Sequence, residues 1–206
     1  GSLFGRLKGG IDYLNKNRMI FLFGFLTYML FAFTLVDIHV VLPSYVHNFL
    51  EMGGNIYASA EVYYSIGAIL SGVLVLRIFK NMNPLKAIII LMLVVAIGFY
   101  LMSVYKLIWI FFLGNLILGI TNAGVRILRT TFLFNNVPNN IIGRAGSVFG
   151  SLNILVRMIM IGLFALPFFN LHDNIRYAYL VGMVLMILVV CVLLLCYKRI
   201  ISVDSN

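Results

Sequence analysis

The chain has little charge, few acids and almost no cysteine. Only 10% of its 206 residues are Asp, Glu, Lys or Arg, against 63% hydrophobic residues and a mean hydropathy of +1.07. Soluble domains carry about 25% charged and about 45–50% apolar residues. So little charge cannot cover so much apolar surface, which excludes a water-soluble enzyme; the same apolar content excludes disorder. The two cysteines, Cys191 and Cys196, share one apolar run without neighbouring ligands, so there is no disulfide framework and no cysteine metal site. Acids are scarcest: 6 Asp+Glu against 15 Lys+Arg, a formal charge of +9. The basic residues fall between long apolar runs rather than on one face, which argues against nucleic acid and for an oriented membrane protein. The chain lacks an initiator Met, and Gly1-Ser2 reads as the scar of a cleaved tag.

What is present is helix of membrane length. About 20 apolar residues cross about 30 Å of hydrocarbon. Uncharged runs cover Met19–Val36, Val62–Leu76, Ala87–Tyr105, Leu107–Val125, Ala145–Leu171 (broken only by Arg157) and Tyr177–Tyr197. With their flanks they predict an all-α membrane protein of six transmembrane helices at approximately 18–47, 57–79, 85–105, 107–128, 145–170 and 176–198. Residues 3–17 place Leu3, Phe4, Leu7, Ile11 and Leu14 opposite Arg6, Lys8, Asp12 and Lys16 at helical spacing, which predicts an amphipathic helix on the cytoplasmic leaflet. Residues 200–206 read as a cytoplasmic tail.

Charge sets the expected orientation. Arg6, Lys8, Lys16, Arg18, Arg77, Lys80, Lys86, Arg126, Arg129, Arg144, Lys198 and Arg199 fall on the side of the N-terminus, and only Lys106 and Arg176 on the other. The positive-inside rule then places both termini in the cytoplasm. Tyr57, Tyr63, Tyr64, Tyr100, Tyr105, Trp109, Tyr177 and Tyr179 gather towards the outer interface. Gly53-Gly54-Asn55, Asn83-Pro84 and His172-Asp173-Asn174 mark turns, and the stretch from Arg129 to Arg144, with Asn135-Asn136-Val137-Pro138, reads as the longest inner connection.

Polar residues inside apolar spans carry the functional information, because a charge at a helix centre costs about 3 kcal/mol on insertion scales. On the fourth helix Asn115, Gly119, Asn122, Arg126 and Arg129 form one stripe; Arg126 and Arg129, at its cytoplasmic end, read as headgroup anchors. On the fifth, Gly146, Gly150, Asn153 and Arg157 repeat the pattern. Asp37 stands alone on the first helix, and Glu61 at the outer end of the second. These residues predict a water-accessible cavity walled by helices one, four and five, with Asp37 and Arg157 paired in one state. Asn and Gly also serve as interhelical packing residues, and that reading stays open for Asn115 and Asn153. Gly67, Ala68, Ser71 and Gly72 strip bulk from the second helix and suit either packing within the bundle or sliding against a second bundle. His39 and His47 lack partner ligands, so neither metal nor cofactor is expected.

Several segments resemble the C-terminal half of a major facilitator superfamily transporter, most closely the drug:proton antiporter-3 group of macrolide effluxers and siderophore exporters. The lead-in Leu7-Lys8-Gly9-Gly10-Ile11-Asp12-Tyr13-Leu14-Asn15-Lys16-Asn17-Arg18 is similar to the segment that enters that group's seventh helix. The run from Arg129-Thr130-Thr131 through Val137-Pro138 to Ile142-Gly143-Arg144-Ala145 is similar to the connection between its tenth and eleventh helices. The superfamily's cytoplasmic signature survives only as Gly72, Arg77, Lys80 and Lys86, without its Asp.

The resemblance implies a 3+3 inverted-repeat half with both termini inside the bacterial inner membrane, and a missing N-terminal bundle facing helices two and five. It also implies proton-coupled efflux of a small organic molecule by alternating access, through a path lined by Asp37, Asn115, Asn122 and Arg157. Asn153 and Glu61 complete the expected substrate and proton path, with Asp37 the first and Glu61 the second candidate proton carrier. Three other readings stand beside it: a half-transporter acting as a homodimer, a receptor or assembly factor that does not transport, and an intramembrane enzyme. The last lacks a Ser–His dyad and a His/Glu metal pair, so the chain is expected not to be an enzyme.

Overall fold

The computed structural model describes residues 3–204. Gly1 and Ser2 lie outside the described residues, as do the side chains of Leu3, Phe4, Arg6 and Leu7. Six helices are long and apolar enough to cross a bilayer: Arg18–Phe49, Gly54–Val75, Pro84–Val104, Ile108–Asn136, Asn139–Phe164 and Asp173–Leu195. The chain is therefore a multi-pass, all-α membrane protein. Along it run α1 (Leu3–Lys16), α2 (Arg18–Val36), α3 (Leu42–Ser44), α4 (Gly54–Ile78), α5 (Pro84–Val104), α6 (Ile108–Asn136), α7 (Asn139–Phe164), α8 (Tyr177–Leu195) and α9 (Tyr197–Asp204).

The first span is a continuous rod with two wide turns. Asp37–Val41 and Tyr45–Phe49 are π-helical and flank the single α-turn of α3, which holds Pro43. Proline has no N–H to donate and its ring crowds the carbonyl four residues back. Widening the turn to i→i+5 bonding, as in the bond from Leu42 N–H to the Asp37 carbonyl, lets the rod continue past it. The rod ends at Glu51, the single non-glycine residue among those described with positive φ, at 57°. Its carboxylate accepts a 2.6 Å hydrogen bond from Lys106 Nζ, which ties the first outer turn to the α5–α6 turn.

Ends are set by local chemistry. Asn83 caps α5 by accepting from the Leu85 N–H at 2.9 Å, with Pro84 in the first turn where a missing N–H costs nothing. The expected long connection between Arg129 and Arg144 is absent. α6 runs on to Asn136 and α7 starts at Asn139, so Val137-Pro138 alone makes the corner. The asparagines of that stretch do not break the helix because Asn136 turns its amide back onto the Phe132 carbonyl at 2.8 Å.

α5 is buried between α6 and α8, and α2 sits among α6, α7 and α8. α4 packs chiefly on α6, while α6 and α7 touch little. Phe23, Phe33, Tyr45, Phe99, Phe111, Phe149 and Tyr179 fill the core. α4 and α7 keep most of their apolar surface outside: Ile69 is 75% exposed and Ile159 72%. α1 does not lie free. Gly10 is pressed against the Arg144 carbonyl and Val148 of α7, Leu14 is buried, and Tyr13 Oη donates to the Asn136 carbonyl at 3.3 Å. Ile11, placed by periodicity on the buried face, is 46% exposed because that face turns towards Gly10 and Leu14 instead. The expected tail is helical as far as Asp204, in α9, whose Ile200 is buried; Ser205 and Asn206 lie outside the described residues.

Candidate functional site

The small residues of α4 build the site's frame. A side chain on Gly119 would collide with the Tyr64 carbonyl, and one on Gly67 with the Leu116 carbonyl. The two helices therefore cross with backbones in contact at this pair of glycines. Ser71 is fully buried and stands against Gly124 of α6. Gly67 and Ser71 thus do not face a second bundle, as the sequence allowed; α6 has already taken that face. Gly72 alone of the four has open space beside it, while Ala68 borders the crossing at Gly119.

Above this crossing lies a crevice of about 300 Å³ lined by Ile38 and Leu42 of the first span, Glu61, Tyr64 and Ser65 of α4, and Asn115 of α6. Three of its polar side chains, Glu61, Tyr64 and Asn115, are held by partners. Asn115 is buried and donates its amide to the Phe111 carbonyl at 2.9 Å, which leaves Oδ1 to accept. Asn122, also buried, donates to Tyr64 Oη at 2.9 Å, so the phenol keeps its own proton to give. Glu61 Oε1 accepts from Tyr57 Oη at 2.9 Å, and the same hydroxyl lies 3.4 Å from the Ile38 carbonyl. Glu61, Asn115 and Asn122 are thus brought together, and Tyr57 and Tyr64, read earlier only as interfacial aromatics, join them.

Asp37, next along the chain to the crevice-lining Ile38, is fully buried. Neither carboxylate oxygen has a hydrogen-bond partner among the described residues. The Tyr179 hydroxyl, also without a hydrogen-bond partner, interacts with the carboxyl without reaching bonding geometry. Tyr45 flanks both, its ring 4.9 Å from that of Tyr179 and its hydroxyl donating to the Met102 carbonyl at 2.7 Å.

Arg157 is not paired with Asp37 here. It is half-buried on α7 with an unpartnered Nε, and the one ion pair among the described residues is Glu51–Lys106. Asn153, buried on the same helix, reaches the Tyr28 carbonyl at 3.4 Å. Helix five therefore does not wall the crevice; helix two does. The side chain misread as a headgroup anchor is Arg129. It is 4% exposed, donates to the Thr27 carbonyl at 3.1 Å and lies 3.6 Å over the Tyr28 ring. Its place in the buried α6 stripe was the signal; its nearness to the helix end hid it. Arg126 is exposed, and Arg77 and Lys80 are exposed at the end of α4, with Lys86 exposed in the first turn of α5.

No protein-family model, no curated protein and no solved structure matches the chain. The resemblance to major facilitators is supported by no detectable relative. What stands is an all-α polytopic bundle compatible with a transport protein. Among the described residues no group of three or more His, Cys, Asp and Glu comes together to hold a metal ion.

Proposed function

We propose that the chain is a six-helix half of a secondary transporter of the major facilitator type, moving a small organic molecule across the bacterial inner membrane by proton-coupled efflux. The observation that carries this is an open crevice that holds Glu61, Tyr64, Ser65 and Asn115 among helices of membrane-spanning length, one residue along the first span from a fully buried, unpaired carboxyl. Polar groups of this kind are expensive in a bilayer and are kept where they serve a path.

The packing pattern supports the 3+3 reading. Exchanging the first span with α6, α4 with α7 and α5 with α8 carries the α4–α6 contact onto the α7–α2 contact, and α5–α6 onto α8–α2. It leaves α5–α8 and α2–α6 in place and pairs the sparse α6–α7 contact with another small one, between α4 and the first span. Such exchange is what a pseudo-two-fold axis between two three-helix repeats produces. The open, apolar outer faces of α4 and α7 suit a second bundle. A chain orientation with both termini inside follows from the charge asymmetry of the loops.

In this reading the crevice binds substrate through Glu61, Tyr64 and Asn115, and Asp37 carries the coupling proton. A carboxyl buried without a counter-charge is held most cheaply as the neutral acid. The Tyr57 hydroxyl stands between Glu61 and the Ile38 carbonyl, one residue along the chain from Asp37. Arg157, with its free Nε, gives Asp37 a counter-charge in another state. Rocking of the bundle would then couple proton release to opening. In everted membrane vesicles, substrate movement is expected to follow the pH gradient and to lose that dependence in Asp37→Asn. Retained gradient dependence in a folded Asp37→Asn variant overturns the assignment of the proton carrier, and absence of any gradient-driven movement overturns the transport reading.

A further inference from the structure

We infer that the crevice between the first span, α4 and α6 selects a small organic cation, an ammonium carried on an apolar body. This rests on the reading of that crevice as the substrate site. The inference comes from what lines it. Glu61 brings a carboxylate, and none of the lining residues Ile38, Leu42, Glu61, Tyr64, Ser65 and Asn115 is basic. Among the described residues Glu61 has no cationic partner; its one hydrogen bond is from the neutral Tyr57 hydroxyl. That bond uses Oε1 and fixes the carboxylate as an acceptor, leaving Oε2 available.

The remaining polar groups extend the same preference. The amide of Asn115 is turned by its bond to the Phe111 carbonyl so that its oxygen is the free end. Ser65 adds a hydroxyl that can accept. An ammonium has donors only and needs acceptors of this kind, while a carboxylate or phosphate would meet Glu61 with no cation to offset it. The Tyr64 ring offers a face that attracts a cation. Ile38 and Leu42 close the other wall with apolar surface, which fits a hydrocarbon or aromatic body. At about 300 Å³ the crevice matches the small end of ligand pockets.

The overall charge of +9 makes this local balance informative: none of the described cations lines the crevice. Arg129, the most buried of them, faces Thr27 and Tyr28 and lines no part of the crevice.

The test uses the full chain in nanodiscs of zwitterionic lipid, without a gradient. Equilibrium binding of 3-phenylpropylammonium is compared with that of 3-phenylpropan-1-ol and 3-phenylpropanoate near neutral pH. The ammonium is expected to bind at least about tenfold more tightly than the alcohol, the energy of one modest charged contact, and the propanoate not to compete. Glu61→Gln is expected to erase the preference while keeping the alcohol's affinity. Ser65→Lys, on an exposed position, is expected to reverse it in favour of the propanoate. Glu51→Gln, in the outer turn, is expected to change nothing. Equal binding of ammonium and alcohol, or a preference that survives both Glu61→Gln and Ser65→Lys, overturns the inference. Cation preference without gradient-driven transport keeps this site and removes the transport reading, whereas transport with no cation preference removes this site alone.

Discussion

Replacing Gly119 by alanine tests the frame on which the site hangs. The new methyl would stand 2.9 Å from the Tyr64 carbonyl carbon and 3.0 Å from the Ala68 nitrogen, and closer still to the Tyr64 carbonyl oxygen. Those are backbone atoms and cannot rotate away. Non-bonded carbon contacts settle at about 3.5–4.0 Å, so α4 and α6 must part by roughly 0.5–1 Å, forfeiting about a quarter to a half of each affected dispersion contact. Overpacking of this kind costs about 1–3 kcal/mol. Alanine recovers up to about 1 kcal/mol through its better helix propensity. The net loss expected is about 1–2 kcal/mol, a fall of roughly 2–8 °C in Tm for a chain of this size. Gly72→Ala and Gly146→Ala, where nothing lies within 4 Å of the added carbon, are the controls and are expected to hold or gain stability. Because Asn122 and Tyr64 bridge the same two helices at 2.9 Å, Gly119→Ala is also expected to weaken ligand binding in the crevice. Thermal unfolding of the purified variants reads the first effect and equilibrium binding the second. Equal Tm values for Gly119→Ala and Gly72→Ala would refute the backbone contact.

Arg129→Lys keeps the charge but loses the planar stack on Tyr28 and the aimed N–H to the Thr27 carbonyl. A loss of about 1–3 kcal/mol is expected, against no change for the exposed Arg126→Lys, again by thermal unfolding. In the outer turn, Lys106 donates a hydrogen bond to Glu51 and adds its charge, and both hold the Glu51 carboxyl below its ordinary value. The pair's stabilisation is therefore present above the ordinary carboxylate pKa and lost as pH falls through the lowered one. Lys106→Ala is expected to return the Glu51 titration, followed by carboxyl NMR, to the ordinary range and to remove that acid-side dependence; an unmoved titration contradicts the pairing.

The six spans were legible because hydrophobic length is a bulk property that needs no partner. Boundaries were less so. The first span passes Pro43 only by widening into π-turns, a compensation that no spacing rule announces. The Asn-rich stretch before Pro138 resembles a loop, yet Asn136 satisfies its own helix. Within the site, the stripe of Asn115, Gly119 and Asn122 was correctly read as one face, since helical periodicity fixes which residues share a side. Which neighbour that face meets is a tertiary fact. The sequence turned it towards helix five, whereas the glycine pair at positions 67 and 119 docks it on helix two. Asp37 and Arg157 were joined because, of the two acids in the membrane zone, Asp37 and Glu61, Asp37 lies nearer Arg157 in depth. The fold puts Tyr179 beside the first and leaves the second on a different wall.

Thiol accessibility in intact membranes tests most directly whether the crevice is a wet passage. In a background with Cys191 and Cys196 replaced, Ser65→Cys is expected to react readily with a membrane-impermeant, charged thiol reagent. Ile97→Cys and Leu188→Cys, on the exposed apolar faces of α5 and α8, are expected to stay unlabelled. Labelling of Ser65→Cys blocked by 3-phenylpropylammonium would place water and ligand in the same space. A Ser65→Cys as silent as the two lipid-facing positions would contradict the account.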